Sequence, residues 1–345
     1  MELQLVRTLN NSTLRVQQQE RIMEVIPTVA IEATAEVIPE TKRKIFIEAN
    51  TIPVSLAHLK NECIIPTYRD NEKTISHYEL VDTLNFCVNH HFKGSSTLEP
   101  QIRVSHQING RISQALHKKV SELEDWEKTR YYERMMFVIE VPSITQEVNG
   151  NRLNLSIAGV RALNHESLFS KKTIEKFKIV IGFQNLVCCN LLISTDGAAL
   201  EIRVSSLEEL IKKVFELFSS YDMPRHLRQM QSFGNYSLSE NQFAQILGKA
   251  RLYPFLKNEV KKEIPQLMFN DCQLNTVAKD YYLDKSFCRS SNGEIDLWKL
   301  YQLLTGANKS SYIDSFLDRS LNAFTFTESI LDALDDQSRS HWFLS

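Results

Sequence analysis

With 345 residues, 43% of them hydrophobic and 24% charged, the chain has ordinary globular makeup and is long enough for one large domain or two smaller ones. Its 40 Lys and Arg against 42 Asp and Glu give a formal charge of −2, which excludes coating of nucleic acid by bulk positive charge and leaves only a local patch to consider. Six scattered cysteines without C-x-x-C spacing read as reduced, buried thiols, and no run approaches the roughly 20 apolar residues of a membrane span, so a cytoplasmic protein with no membrane contact is expected.

Residues 1–44 mix Gln, Glu, Thr and Pro with isolated aliphatics and keep no period, which predicts a flexible N-terminal arm. Ser76 and Glu79 form a capping box, and Tyr78, Val81, Leu84 and Val88 at helical spacing predict a helix that runs to His90, His91 and Phe92 and stops at Gly94. The paired histidines read as cations favoured at a helix C-terminus. Asn109-Gly110 offers a turn, and the mixed-charge stretch from Arg111 to Arg134 reads as a solvated helix or loop.

From Tyr131 to Ser205 the period becomes two. Met135, Phe137, Ile139 and Val141 share one side of a strand that Pro142 interrupts; Asn149-Gly150 turns the chain; Leu153, Leu155 and Ile157 line the returning strand. Phe177, Ile179, Ile181 and Phe183 repeat the pattern, the apolar run LVCCNLLIS reads as a central strand, and Ile202 with Val204 closes the set. Such closely spaced strands pair antiparallel, with Arg103, Ser105, Asn154, Ser156, Lys178, Gln184 and Arg203 on a wet, mildly basic second face. Ser206 and Glu209 begin an amphipathic helix through Phe218, and everything from Ser239 on is helical, with the terminal HWFLS packing back. The expected fold is α+β: a central antiparallel sheet covered on one face by helices within residues 45–222, then a helical subdomain over 223–345.

The candidate motifs do not assemble into catalysis. The Lys-Ser pair of TGANKSS comes after Gly306 but lacks the other glycine of a phosphate loop and follows a helix; Gly306 reads as a helix stop, with Asn308 or Ser310 capping the next helix. Cys188 and Cys189 on a central strand point to opposite faces and lack the electropositive, exposed setting of a reactive thiol. Arg161, Asn164, His165 and Glu166 end a strand, but no nucleophile accompanies them. No catalytic residue, cofactor or metal is expected.

The segments IEANT, RVSHQINGRI, YYERMMFVIEVP, VNGNRLNLSIAGVRALNHE, KKTIEKFKIVIGFQNLVCCNLLISTDG and WKLYQLLTGANKSSYIDSFLDRSLNA resemble a bacterial domain-of-unknown-function family of gut anaerobes over about residues 45–345. VCCN and DLWKLYQLLT are also similar, more distantly, to a phage/plasmid-like family of unknown function. The resemblance implies a mobile-element setting and brings no catalytic residue with it.

Two functions are carried forward. In the first, the protein is a nucleic-acid-binding accessory of replication or recombination that holds a single strand through Arg103, Arg111, Lys118, Lys119, Arg130, Tyr131, Arg134 and Arg161, cations interleaved with a stacking ring. In the second, it is a non-enzymatic module that binds a host or element-encoded protein, in keeping with its near-neutral charge. The first requires those cations to gather on one surface without being neutralised by the acids between Glu122 and Glu133.

Overall fold

Alternation builds the centre of the molecule. In the computed structural model, which describes residues 45–63, 65, 74–166, 174–335 and 341–345, strand β5 (Arg134–Val148) turns through Asn149 and Gly150 into β6 (Asn151–Ala162). Both turn residues have positive φ, 47° and 74°, the conformation for which the Asn-Gly dipeptide is suited. The ladder shifts register between Val141 and Thr145, where Pro142 cannot donate. Strands β1 (Ile52–Val54) and β2 (Gln101–Val104) extend the sheet from one side of β5; β7 (Glu175–Asn185) lies beyond β6 and pairs along different stretches with β8 (Leu191–Leu192) and β9 (Ala198–Val204). All seven strands are antiparallel, as closely spaced strands require. The expected N-terminal arm over 1–44 lies outside the described residues.

The apolar face of this sheet, Met135, Phe137, Ile139 and Val141 beside Leu155, Ile157, Ile179, Ile181 and Phe183, is covered by helices. Helix α1 (Leu56–Asn61) precedes α2 (His77–His91), which starts at the reciprocal Ser76/Glu79 box and ends before Gly94 at φ 83°. Helix α3 (Leu207–Ser220) buries Leu210, Ile211, Val214, Phe215 and Phe218, side chains worth about 1.5–3 kcal/mol each when fully buried. Its Ser206 accepts the Glu209 amide, whereas the Glu209 carboxylate reaches one residue further back, to the Ser205 amide at 2.7 Å. Next come α4 (Met223–Phe233), α5 (Glu240–Leu252), α6 (Asn258–Glu263), α7 (Asp271–Leu283), α8 (Leu297–Ala307) and α9 (Ile313–Asp335), with a two-stranded pairing of β10 (Ser237–Leu238) and β11 (Ile295–Asp296) among them. One core runs from Leu84 and Val88 through the sheet to Tyr301, Phe324 and the terminal Phe343. The chain end does pack back: Lys249 donates to the Trp342 carbonyl at 2.6 Å.

Four expectations change. The second sheet face is not wet: Met136, Val138, Ala158, Val160 and Val180 form another apolar cluster, covered by Ile313, Phe316 and Leu317 of α9 and by Phe46 and Ile47. Asn154, Ser156 and Gln184 are buried there and bonded; Asn154, for example, accepts from Thr145 Oγ1 at 2.8 Å. The run LVCCN is a tight turn, not a central strand. Asn185 Oδ1 accepts the Val187 amide at 2.9 Å, its carbonyl accepts the Cys189 amide at 2.7 Å, and Cys189 has φ 58°. A local side-chain bond to backbone outcompetes the ladder that the apolar composition suggested. Asn109-Gly110 does not turn the chain but lies in a ladder, opposite Arg130 and Thr129, where a Cβ on Gly110 would sit 2.8 Å from Thr129 Oγ1. His91 is buried against Phe92, Phe215 and Phe218, and burial lowers its basicity, so packing rather than a helix-end cation accounts for it.

Candidate functional site

Beyond Val104 the β2–β5 pairing is relieved at Ser105, whose amide donates to the Arg134 carbonyl, and the chain continues as a separate two-stranded ribbon of β3 (Gln107–Arg111) and β4 (Lys128–Tyr132). Between these strands, residues 112–127 fold into three short 3₁₀ turns. The ribbon is tied to the body at its base, where His58 Nε2 of α1 meets the Tyr132 hydroxyl at 2.8 Å and Arg130 reaches Glu62 at 3.2 Å. Its far end carries Leu116, Val120 and Trp126, exposed by 57%, 72% and 70%.

Five of the eight expected residues, Arg111, Lys118, Lys119, Arg130 and Tyr131, fall on this arm, but its acids take up most of the charge. Lys118 Nζ lies 2.6 Å from Glu127 Oε1, and that bond holds the Glu127 carboxyl below the usual carboxylate range. Lys128 pairs with Asp125 at 2.7 Å, lowering the Asp125 pKa in the same way, and Arg111 donates to the Lys118 carbonyl. Lys119 is exposed, with its amide on the Glu122 carboxylate at 3.1 Å; Tyr131 is half-buried. Arg134 sits at the arm's root between Glu133 (3.2 Å) and Asp314 of α9 (3.4 Å). Arg103, on β2, donates to the Thr51 carbonyl and hydroxyl at 2.7 and 2.8 Å.

Arg161 is not on a surface at all. Fully buried, it bonds Glu175 at 2.9 Å and Glu166 at 3.2 Å and lies over the Phe177 ring, while Glu175 also accepts the Ile75 amide at 3.1 Å. It is a buried ion pair whose bonds knit β6, β7 and the start of α2 together. His165 is exposed and approaches Asp314 at 3.8 Å, away from that network, so Arg161, Asn164 and His165 do not converge. His77 is also buried, with Nε2 on the Tyr132 carbonyl, and burial pushes it down to about 3. Lys309 of the TGANKSS motif donates to the Cys188 carbonyl, and its own carbonyl accepts the Glu48 and Ala49 amides, a structural clasp between α8 and the Cys188–Cys189 turn. Among the described residues, no group of three or more His, Cys, Asp or Glu could hold a metal ion, and no helix is long and apolar enough to cross a membrane.

A concavity lies on the α9 side of the sheet, a cleft of about 290 Å³ between β6, β7, β9 and α9. Val160, Ala162 and Leu200 give it apolar wall; His165, Lys176, Lys178, Arg203, Glu201 and Asp318 supply the charge. Sequence reading placed Lys178 and Arg203 on this face but missed Lys176. Trp126 is masked in the sequence by the acids around it, Glu122, Glu124, Asp125 and Glu127, which give the stretch the look of a solvated loop.

These features define an α+β protein on a curled antiparallel sheet, with a ribbon arm and a small charged cleft. The chain belongs to the family DUF3871, described as a domain of unknown function with a B. theta gene description, whose model matches residues 28–344. No curated protein and no solved structure matches it.

Proposed function

We propose that the protein is a non-enzymatic binding module that docks on a partner protein through the end of its β3–β4 arm. The observation that carries this reading is the exposure of Leu116, Val120 and Trp126 within eleven residues at the end of a two-stranded ribbon. Single exposed apolar residues are common, but three close in sequence, one of them a Trp, have the character of an interface anchor. Burying each on a partner contributes about 1.5–3 kcal/mol. Lys119, Glu122 and Glu124 beside them give the arm a mixed-charge rim, which fits a partner with an apolar pocket and a polar margin. In the mobile-element setting that the sequence resemblance implies, host and element-encoded proteins are the partners to test.

A second reading, single-stranded nucleic acid held by the arm, is supported by Arg111, Lys118, Lys119, Lys128 and Arg130 lying on one ribbon with Trp126. The Lys118–Glu127 and Lys128–Asp125 pairs weigh against it, because phosphate must compete with carboxylates already bonded. A photo-crosslinking amino acid at position 126 separates the two. Crosslinking to one discrete protein, absent when the probe stands at exposed Lys213 on α3, is the expected result. Crosslinks to nucleic acid alone, or equal protein crosslinking from both positions, would contradict the docking proposal.

A further inference from the structure

The cleft on the α9 side of the sheet has a feature that its fold does not require. Lys176 of β7 and Arg203 of β9 are direct cross-strand partners, and like charges placed opposite one another on a ladder are destabilising. Neighbouring acids do not resolve this. Lys178 uses Asp318, 2.5 Å away, and the Asp314 carbonyl at 2.6 Å. Among the described residues, Glu201 pairs with Arg203 alone, at 3.6 Å, with the two side chains 82% and 58% exposed, a weak and screened contact. Among the described residues, no carboxylate lies within ion-pair distance of the Lys176 ammonium. His165 adds a fourth nitrogen-bearing group to the lining beside Lys176, Lys178 and Arg203, and Val160, Ala162 and Leu200 leave apolar wall beneath.

We infer that this cleft binds a small organic anion, a carboxylate or phosphate monoester on a short apolar body, with its charged head between Lys176 and Arg203 and its body against Val160, Ala162 and Leu200. Cα atoms of opposed residues in an antiparallel ladder stand about 4.5–5.5 Å apart, so two cations there can share one anionic head. An Arg offers the planar fork that carboxylate and phosphate oxygens accept, and a Lys adds a point charge. The volume of about 290 Å³ suits a compact ligand. The inference is independent of the arm and of what the arm binds.

Titration calorimetry of the full chain with hexanoate, hexyl phosphate and inorganic phosphate tests it, using wild type, Lys176→Glu and Arg203→Gln. Saturable binding of hexanoate or hexyl phosphate is expected, weakened about tenfold or more in each variant. Preference between the two probes identifies the head group as carboxylate or phosphate. Because both positions are on the exposed rim, thermal melts at or above the wild-type temperature show that lost binding is not lost folding. Absence of binding by wild type to either hexyl probe at about 10 mM overturns the inference. So does affinity unchanged in either variant, or inorganic phosphate binding as tightly as hexyl phosphate.

Discussion

Glu328 of α9 is held away from its ordinary ionisation by its surroundings. Burial, reinforced by the charge of Asp332 and Asp196 and opposed by Arg225 and a 2.6 Å bond from Gln229, pushes its pKa up to about 7. The folded state therefore holds a proton that the unfolded chain releases near pH 4.5, and the stability tied to that proton is lost as pH rises from there through about 7. His226 and His77 act in the opposite sense. Burial takes each down to about 3, so their contribution is complete above about 6.5 and is lost as pH falls. Comparing Glu328→Gln with wild type isolates the first effect from the second. The variant is expected to gain stability relative to wild type between pH 5 and pH 8 in urea unfolding; parallel pH curves would contradict this assignment. None of this was legible in the sequence, where Glu328 is one acid among several on a helix. Arg161 illustrates the same limit, since its residue type suggested a surface cation and only packing reveals Glu166 and Glu175 enclosing it.

At the scale of elements, periodicity carried most of the information. The two-residue alternation of β5, β6 and β7 placed Phe137, Leu155 and Ile181 on the core face without any structure, and the Ser76/Glu79 box marked the first residue of α2. Which elements meet was less visible. The apolar residues of α9 announced a helix but not that Phe316 and Leu317 would cover the second face of the sheet, because a helical stripe does not name its partner. The apolar run at Cys188 and Cys189 misled for a related reason, as composition does not distinguish a buried turn from a buried strand. The cleft was half legible: Lys178 and Arg203 fell on the right face, but the register that sets Lys176 opposite Arg203 depends on pairing across a long connection. Lys176→Glu turns that repulsion into attraction. It is expected to raise ligand-free stability by about 0.2–1 kcal/mol, read by chemical denaturation, while removing the anion-binding charge. A neutral or destabilising effect would mean that the two cations are not in conflict.

For the molecule as a whole, one core joins the sheet to α1–α5 and α7–α9, and the β3–β4 arm adds its own small ladder, with Tyr132 at its base in that core. Large apolar side chains are exposed in both parts, Phe255, Leu283 and Leu252 on the body and Leu116, Val120 and Trp126 on the arm, and the arm alone holds an exposed Trp among them. The most direct measurement compares wild type with Trp126→Ser as bait in nuclease-treated lysate, followed by titration of the purified captured protein against both. The docking account predicts a one-to-one complex that persists in high salt and weakens at least tenfold with Trp126→Ser. Equal affinity for both baits, or retention that disappears with nuclease and falls steeply with salt, would contradict it.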